Sequence, residues 1–238
     1  MSDVHNMLKQ AADVLKNASR AVVMTGAGCS VEAGIPDFRS PSGWWRQIDP
    51  RTVATTEALE HRYELFHAFY AARIEQLREV RPHNGHSILS KWEHQGRLQL
   101  IATQNVDGLH QAAGNRNVQE LHGSIRHFRC ASCGRPGAEQ AFLDRAPCTC
   151  GGRLRPDVVL FGEQLPEEAW HASLAAIRAA DVVLVIGTSL QVYPVNQLPF
   201  LTDGTLILLN AEETGEDHRF DLVLHGRAAQ LLQAMDEQ

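Results

Sequence analysis

No stretch of the 238-residue sequence approaches the ~20 consecutive apolar residues of a membrane-spanning helix. The N-terminus also lacks the charged-then-apolar layout of a signal peptide. A membrane protein is not expected, and the expected compartment is the cytoplasm. Basic charge is in deficit, with 22 Lys and Arg against 28 Asp and Glu, a formal charge of −6. That argues against a nucleic-acid partner, which would need a basic face. There is no internal repeat and no low-complexity tract, so a solenoid or a long linker is not expected. The length is short of two full domains, though it allows a substantial core and a second small module. Cysteine is scarce too. Of five, Cys130, Cys133, Cys148 and Cys150 crowd into one segment and Cys29 stands apart. In a reducing compartment such crowding points to metal before disulfides.

What is present is an ordinary globular composition, 44% hydrophobic and 21% charged. Apolar residues at 4, 7, 8, 11, 14 and 15 have helical spacing. Helical patterns are expected again from Thr55 to about Val80, around Ser87 to Trp92, from Glu167 to Ala179 and from Ala228 to Met235. Six apolar runs read as strands: 21–25, 98–103, 158–161, 182–186, 206–209 and 222–224. Continuous apolar strands bounded by helices predict an α/β fold with a six-stranded parallel sheet covered on both faces. Residues 126–156 have little apolar periodicity, so that segment needs a staple.

The first strand runs into Thr25-Gly26-Ala27-Gly28-Cys29-Ser30 and on to Gly34-Ile35-Pro36-Asp37-Phe38-Arg39. Glycines there let the backbone turn sharply and approach a diphosphate. Many strand-to-helix turns with two glycines bind nothing, and the spacing is not G-x-G-x-x-G, so both readings stay open. Trp44 and Trp45, in the turn-rich loop beyond, either anchor a closing loop or dock on a helix. Gln104-Asn105-Val106-Asp107 follows the second strand, Gly187-Thr188-Ser189 follows 182–186, and Asn210 follows 206–209. Capping explains each alone; together these strand ends describe a ligand crevice. His122 stands between the sheet and the cysteine segment. It is either a general base near pH 7 or one structural histidine among twelve. Cys130-x-x-Cys133 and Cys148-x-Cys150 suit one tetrahedral, fully protein-ligated and hence structural zinc ion; an iron–sulfur cluster is the alternative. Tyr70 and Arg73, at i and i+3, share a helix face. On residues alone, Tyr70 packs and Arg73 reaches water.

In order along the chain, Gly26-Ala27-Gly28-x-Ser30-x-x-x-Gly34-Ile35-Pro36-Asp37-Phe38-Arg39, Thr103-Gln104-Asn105-Val106-Asp107-Gly108-Leu109-His110, Leu121-His122-Gly123, the two cysteine pairs, Phe161-Gly162-Glu163 and Gly187-Thr188-Ser189 resemble the sirtuin family, the NAD-dependent protein-lysine deacylases of bacterial type. The resemblance spans nearly the whole chain. It implies a Rossmann-like NAD-binding domain from 1–35, 85–125 and 157–238. The small module then has a helical part at 36–84 and a zinc-binding part at 126–156. The cofactor's diphosphate and nicotinamide end would lie on Gly26, Ala27, Gly28, Ser30, Ile35, Asp37, Phe38, Arg39 and Trp45, with Arg39 facing phosphate. Asn105, Val106 and Asp107 would line the nicotinamide pocket, and Gln104 would contact the nicotinamide ribose. Gly187, Thr188, Ser189, Asn210, Ala211, Glu212 and Ala228 would hold the rest.

The implied reaction starts with attack of an acyl-lysine carbonyl oxygen on the ribose anomeric carbon, expelling nicotinamide. His122, with Asn105 as the other catalytic residue, then acts as base for a ribose hydroxyl that attacks the resulting imidate. Lysine, nicotinamide and O-acyl-ADP-ribose result. Val159, Phe161, Gly162 and Glu163 would pair with the acyl-lysine protein or peptide as an added strand. Sirtuins that prefer succinyl- or malonyl-lysine carry Tyr-x-x-Arg where Tyr70 and Arg73 stand, and a guanidinium grips a carboxylate with two parallel hydrogen bonds. The expectation is therefore a desuccinylase and demalonylase that also deacetylates, working as a monomer. Two positions depart from the family's pattern. Cys29 stands where an aliphatic residue is usual, either as a small buried hydrophobe or as an oxidation-sensitive thiol beside the cofactor. In Pro82-His83-Asn84-Gly85-His86 the usual Pro-Asn turn is altered. The alternatives are a protein ADP-ribosyltransferase or NAD hydrolase on the same scaffold, and a non-catalytic NAD sensor. A dehydrogenase is disfavoured, because no acidic ribose partner is identifiable at the end of a second strand.

Overall fold

The computed structural model describes residues 2–38, 46 and 48–238. Arg39, Trp44 and Trp45, named above, lie outside the described residues.

Five buried residues in a row, Ala21–Thr25, form β1, and five more, Val182–Ile186, form β7. With no polar side chain between Ala21 and Met24 or between Val182 and Ile186, both strands are committed to the centre of a sheet covered on both faces. The sheet is parallel and six-stranded, in the order β3-β2-β1-β7-β8-β9, with β2 at Leu100–Thr103, β3 at Val118–Glu120, β8 at Thr205–Asn210 and β9 at Leu222–His225. Strand order reverses between β1 and β7, where Ala21 to Thr25 run beside Val182 to Ile186 in register. An open parallel sheet leaves a crevice at the carboxyl ends of such a pair.

Alternation along the strands divides the core in two. Val23, Ile101, Leu184, Ile186 and Ile207 face α1 (Ser2–Asn17), α3 (Asn84–His94) and α5 (Ala228–Asp236) through Leu15, Trp92 and Leu232. Val22, Met24, Val183, Val185 and Leu208 face α4 (Glu167–Ala179) and the 3-10 turn Val195–Leu201. A third apolar cluster lies apart from the sheet. It joins α2 (Tyr63–Leu77) to an antiparallel sheet of β4 (Gly123–Cys130), β5 (Pro136–Gly137) and β6 (Leu154–Val158), through Phe66, Tyr70, Phe128 and Phe142.

The expected third strand is corrected. The run 158–161 is not in the parallel sheet; that place belongs to β3. Val158 closes β6 against Gly123 of β4, and Phe161 makes only an isolated bridge to Thr55. The run is apolar for another reason: Val158 and Leu160 are buried in the third cluster, while Val159 and Phe161 alternate outward. The expected helix from Thr55 to Val80 is also interrupted. Thr56–His61 ends at Arg62, whose backbone (φ −134°, ψ 40°) is not helical, and α2 begins after it. The break lets Leu59 and Phe66 enter the same cluster. Among the described residues no helix is long and apolar enough to cross a membrane.

The staple expected in 126–156 has the right parts. The four sulfurs of Cys130, Cys133, Cys148 and Cys150 lie within 4.8 Å of one another, with 3.5 Å between Cys130 and Cys150 and 3.8 Å between Cys133 and Cys148. Tetrahedral zinc, with Zn–S of about 2.3 Å, needs S–S separations near ~3.8 Å. The tight Cys148-x-Cys150 pair therefore fits, because each pair contributes across the site. Four protein ligands leave no position for a substrate, so the ion's chemistry there is structural. Cys133→Ser, at an exposed position, is expected to lose one zinc equivalent relative to wild type and to melt several degrees lower. Atomic spectrometry with thermal denaturation checks this, and unchanged zinc content contradicts it.

Candidate functional site

The β1 and β7 ends approach so closely that only backbone fits between them. Gly26 N–H donates to the Ile186 carbonyl at 2.9 Å, and Gly28 N–H donates to the Gly187 carbonyl at 2.8 Å. A Cβ on Gly26 would stand 2.7 Å from the Thr188 side chain, and one on Gly28 2.8 Å from Gly187 Cα. Gly187 itself has φ +62°, a left-handed conformation that favours glycine. The 3-10 turn Ala27–Ala33 leaves this contact, ending at Gly34 with φ +91°.

A cavity of about 1160 Å³ opens above it. That is slightly beyond the ~300–1000 Å³ of most small-molecule pockets. Gly26, Ala27, Gly28, Ser30, Ile35, Asp37 and Phe38 form one wall, and Gln104, Asn105, Val106, Asp107 and His122 another. Gly187, Thr188, Ser189, Asn210, Ala211, Glu212 and Ala228 extend it along the sheet edge. Val159, Phe161, Gly162 and Glu163 line its mouth, and Tyr70 and Arg73 reach it from α2. The structure thus brings together every expected cofactor and substrate position that it describes. An elongated cavity that meets bare backbone at three glycines fits a dinucleotide diphosphate.

A hydrogen-bonded chain crosses the floor. Asn105 Nδ2 donates to the Gly26 carbonyl at 3.0 Å and to Ser30 Oγ at 3.2 Å. Ser30 Oγ donates to Asp107 Oδ2 at 2.8 Å, and Leu109 N–H donates to Asp107 Oδ1 at 2.9 Å. Burial pushes the Asp107 carboxyl up, and these two hydrogen bonds oppose the shift. With its nitrogen spent on protein, Asn105, which lines the cavity, has Oδ1 left as an acceptor. Gln104 Nε2 donates to Thr188 Oγ1 at 3.1 Å, tying β2 to the loop after β7.

His122 is half-buried, and its Nδ1 lies 3.1 Å from the Gln104 carbonyl. A carbonyl only accepts, so Nδ1 carries the proton and Nε2 holds the lone pair. Its own carbonyl accepts from Val159 N–H at 2.9 Å, fixing the mouth segment to the same residue. Tyr70 and Arg73 are both buried, and the Arg73 guanidinium stacks 5.2 Å from the Phe38 ring and 5.5 Å from that of Phe69. Burial pushes the Tyr70 hydroxyl up to about 12, so it stays protonated and can donate. Arg73 does not extend to water.

Two expectations change in detail. The Glu163 carboxylate is turned inward: Arg155, fully buried, donates to it at 2.5 and 3.0 Å, and Leu160 N–H at 2.8 Å. These bonds fix its carboxylate where the residue lines the mouth. Cys29 is sealed from solvent in the sheet core and does not line the cavity. Burial, with Asp107 and Glu32 nearby, pushes its thiol well up. The thiol is therefore buried rather than beside the cofactor cavity, which removes the ground for the oxidation-sensitive reading. Gln191, Val192, Tyr193, Thr214 and Arg227 also line the cavity and were not anticipated. They sit in irregular segments without periodicity, and only their nearness to strand ends could have flagged them.

The family model described as "Sir2 family" matches residues 26–194. The chain is 48% identical over 228 residues to "NAD-dependent protein deacetylase 1" of Geobacillus kaustophilus, covering 93% of this chain and 94% of that one. It is 41% identical over 233 residues to "NAD-dependent protein deacylase 2" of Pyrobaculum aerophilum, covering 95% and 94%. A solved structure described as "Sir2-p53 peptide-NAD+" superposes with a TM-score of 0.88 at 31% identity, over 97% of each chain.

Removing the hydroxyl at the centre of the floor tests its geometry. Ser30→Ala leaves the buried Asp107 carboxylate short of a donor and is expected to cost about 1–3 kcal/mol of stability. Urea denaturation measures it, and an unchanged midpoint contradicts the chain of bonds.

Proposed function

The chain belongs to the Sir2 family of NAD-dependent protein deacetylases, and from that premise we propose that it also removes succinyl and malonyl groups from lysine. Its activity is NAD-dependent protein deacetylation, and NAD is consumed as a substrate. The single observation that carries the wider reading is the placing of Tyr70 and Arg73, both buried, in the wall of the cavity that contains His122. A guanidinium beside a phenol in that wall suits an acyl chain ending in a carboxylate, which a guanidinium grips with two parallel, charge-assisted hydrogen bonds. The Tyr70 hydroxyl adds a third donor. An acetyl group makes none of these bonds and still fits. One relative named as a deacylase accords with a broader acyl range.

In this reading NAD brings a glycosidic bond whose cleavage releases nicotinamide. The bare backbone at Gly26, Gly28 and Gly187 seats the diphosphate. Ile35, Asp37, Phe38, Val106 and Asp107 enclose the nicotinamide end and exclude water. Gln104 contacts the ribose, and Asn105 Oδ1 accepts from a donor of the bound pair. Thr188, Ser189, Asn210, Glu212 and Ala228 hold the remainder. His122 Nε2 takes the proton of a ribose hydroxyl, while its Nδ1–H stays on the Gln104 carbonyl and keeps the ring oriented. One water, entering after nicotinamide has left, supplies the remaining oxygen and protons as the lysine amine is expelled, and O-acyl-ADP-ribose and free lysine leave. Val159, Phe161 and Gly162 receive the acyl-lysine peptide as an added strand. Cys130, Cys133, Cys148 and Cys150 would hold the structural zinc.

The proposal extends to organisation. Residues 1–35, 85–125 and 157–238 form the cofactor-binding part, and 36–84 with 126–156 the small module, in a cytoplasmic monomer; the separate third apolar cluster supports this division. An ADP-ribosyltransferase or NAD hydrolase is not favoured, since it leaves His122 and the Tyr70–Arg73 pair without a task.

Nicotinamide release over acetyl-, malonyl- and succinyl-lysine peptides tests the reading. Arg73→Met is expected to lower kcat/KM for succinyl peptide at least ~10-fold while changing acetyl turnover far less; an unchanged succinyl-to-acetyl ratio contradicts it. His122→Tyr is expected to lose deacylation on every peptide by ~100-fold or more, measured by mass spectrometry of the peptide, and a fully active variant would show the base to be another group.

A further inference from the structure

Four side chains that the mechanism leaves unused meet beneath the glycine turn. Ligand atoms of Cys29, His83 and His86 lie within 4.8 Å of one another. The His86 ring centroid is 4.2 Å from that of His83 and 5.0 Å from that of His110. Cys29, His86 and His110 are sealed from solvent, and His83 is half-buried at the outer edge. None of the four lines the cavity. Both ring nitrogens of His86, and Nδ1 of His110, have no hydrogen-bond partner among the described residues. Buried polar atoms nearly always have one. An imidazole with two unmet nitrogens, packed between two other imidazoles and a thiol, lacks a group of the kind imidazoles and thiolates share.

We propose that Cys29, His83 and His86 form a second metal site, for a thiophilic divalent ion of the zinc class, separate from the four-cysteine cluster. One thiolate with two imidazoles is a donor set that suits zinc. The His110 ring, 5.0 Å from that of His86, packs against the inner side of the cluster, and a fourth ligand position is left for water. Neither ring nitrogen of His86 is bonded to another group among the described residues, so a neutral imidazole there has a lone pair to offer. A bound cation stabilises the Cys29 thiolate, since a coordinating thiol is deprotonated outright. On binding, the Cys29 proton goes to solvent. His83 now bonds the Cys29 carbonyl at 2.6 Å and accepts from Gly85 N–H at 2.9 Å, and it exchanges one of these bonds for the ion.

The site joins the two places at which the sequence departs from the sirtuin pattern, Cys29 and the turn from Pro82 to His86; Cys29 and His83 are 54 residues apart in the chain and in contact in space. An ion there clamps the turn Ala27–Ala33, which carries Gly28 and Ser30, to the start of α3.

The test titrates the full chain, already loaded with zinc at the four-cysteine cluster, with Co²⁺ and in parallel with Zn²⁺. Wild type is expected to take up one further equivalent, with the visible bands of low-coordinate cobalt and a near-ultraviolet thiolate-to-cobalt band. Cys29→Val and His83→Asn should each lose that equivalent and both signals while keeping the first zinc; Asn retains the helix cap. Wild type binding no further equivalent overturns the site. So does a variant that keeps the second equivalent, which would place the extra metal elsewhere.

Discussion

The contact between two backbones, Gly28 N–H on the Gly187 carbonyl at 2.8 Å, is the constraint from which the rest of the site follows. It exists because β1 and β7 are neighbours at the point where the sheet reverses its order, and because neither turn carries a side chain to hold them apart. Once the turns touch, Gly26 offers its carbonyl to Asn105, and Ser30 comes within reach of Asp107. The floor of the cavity is thus built by one close approach. Any side chain larger than hydrogen at Gly28 meets backbone, which cannot move aside as a flexible side chain can.

A second constraint joins the sheet to the small module. His122 bonds the end of β2 through its ring and the mouth segment through its own carbonyl. The imidazole is therefore fixed by both halves of the molecule. The inward Glu163, paired with buried Arg155, holds the mouth segment from the other side. The residues that would meet a substrate rest on polar pairs that do not touch it themselves.

Much of this was legible in the sequence where periodicity or composition carried it. β1 and β7 are unbroken apolar runs, and the four cysteines announce themselves by spacing. The site residues were legible chiefly by position at strand ends, and their roles by resemblance to a family. What could not be read has physical causes. β3 is three half-buried residues, Val118–Glu120, too short and too polar to show a period. The run 158–161 looked like a sheet strand because one side faces a core and the other a cavity, and apolar residues suit both. The inward turn of Glu163 depends on Arg155, whose burial no local pattern signals. The meeting of Cys29 with His83 is a long-range contact, and two separate departures from a pattern acquire a common meaning only in three dimensions.

The proposed activity rests on one coupling, in which cleavage of NAD and transfer of the acyl group would occur in the same cavity, beside His122. A lysine peptide carrying a carbon-13-labelled succinyl group, incubated with the protein and NAD, tests it directly when the products are resolved by mass spectrometry. The label is expected on ADP-ribose, in equal amount to the nicotinamide and free lysine formed. Label appearing from the outset as free succinate, or nicotinamide released with the peptide still acylated, would contradict it.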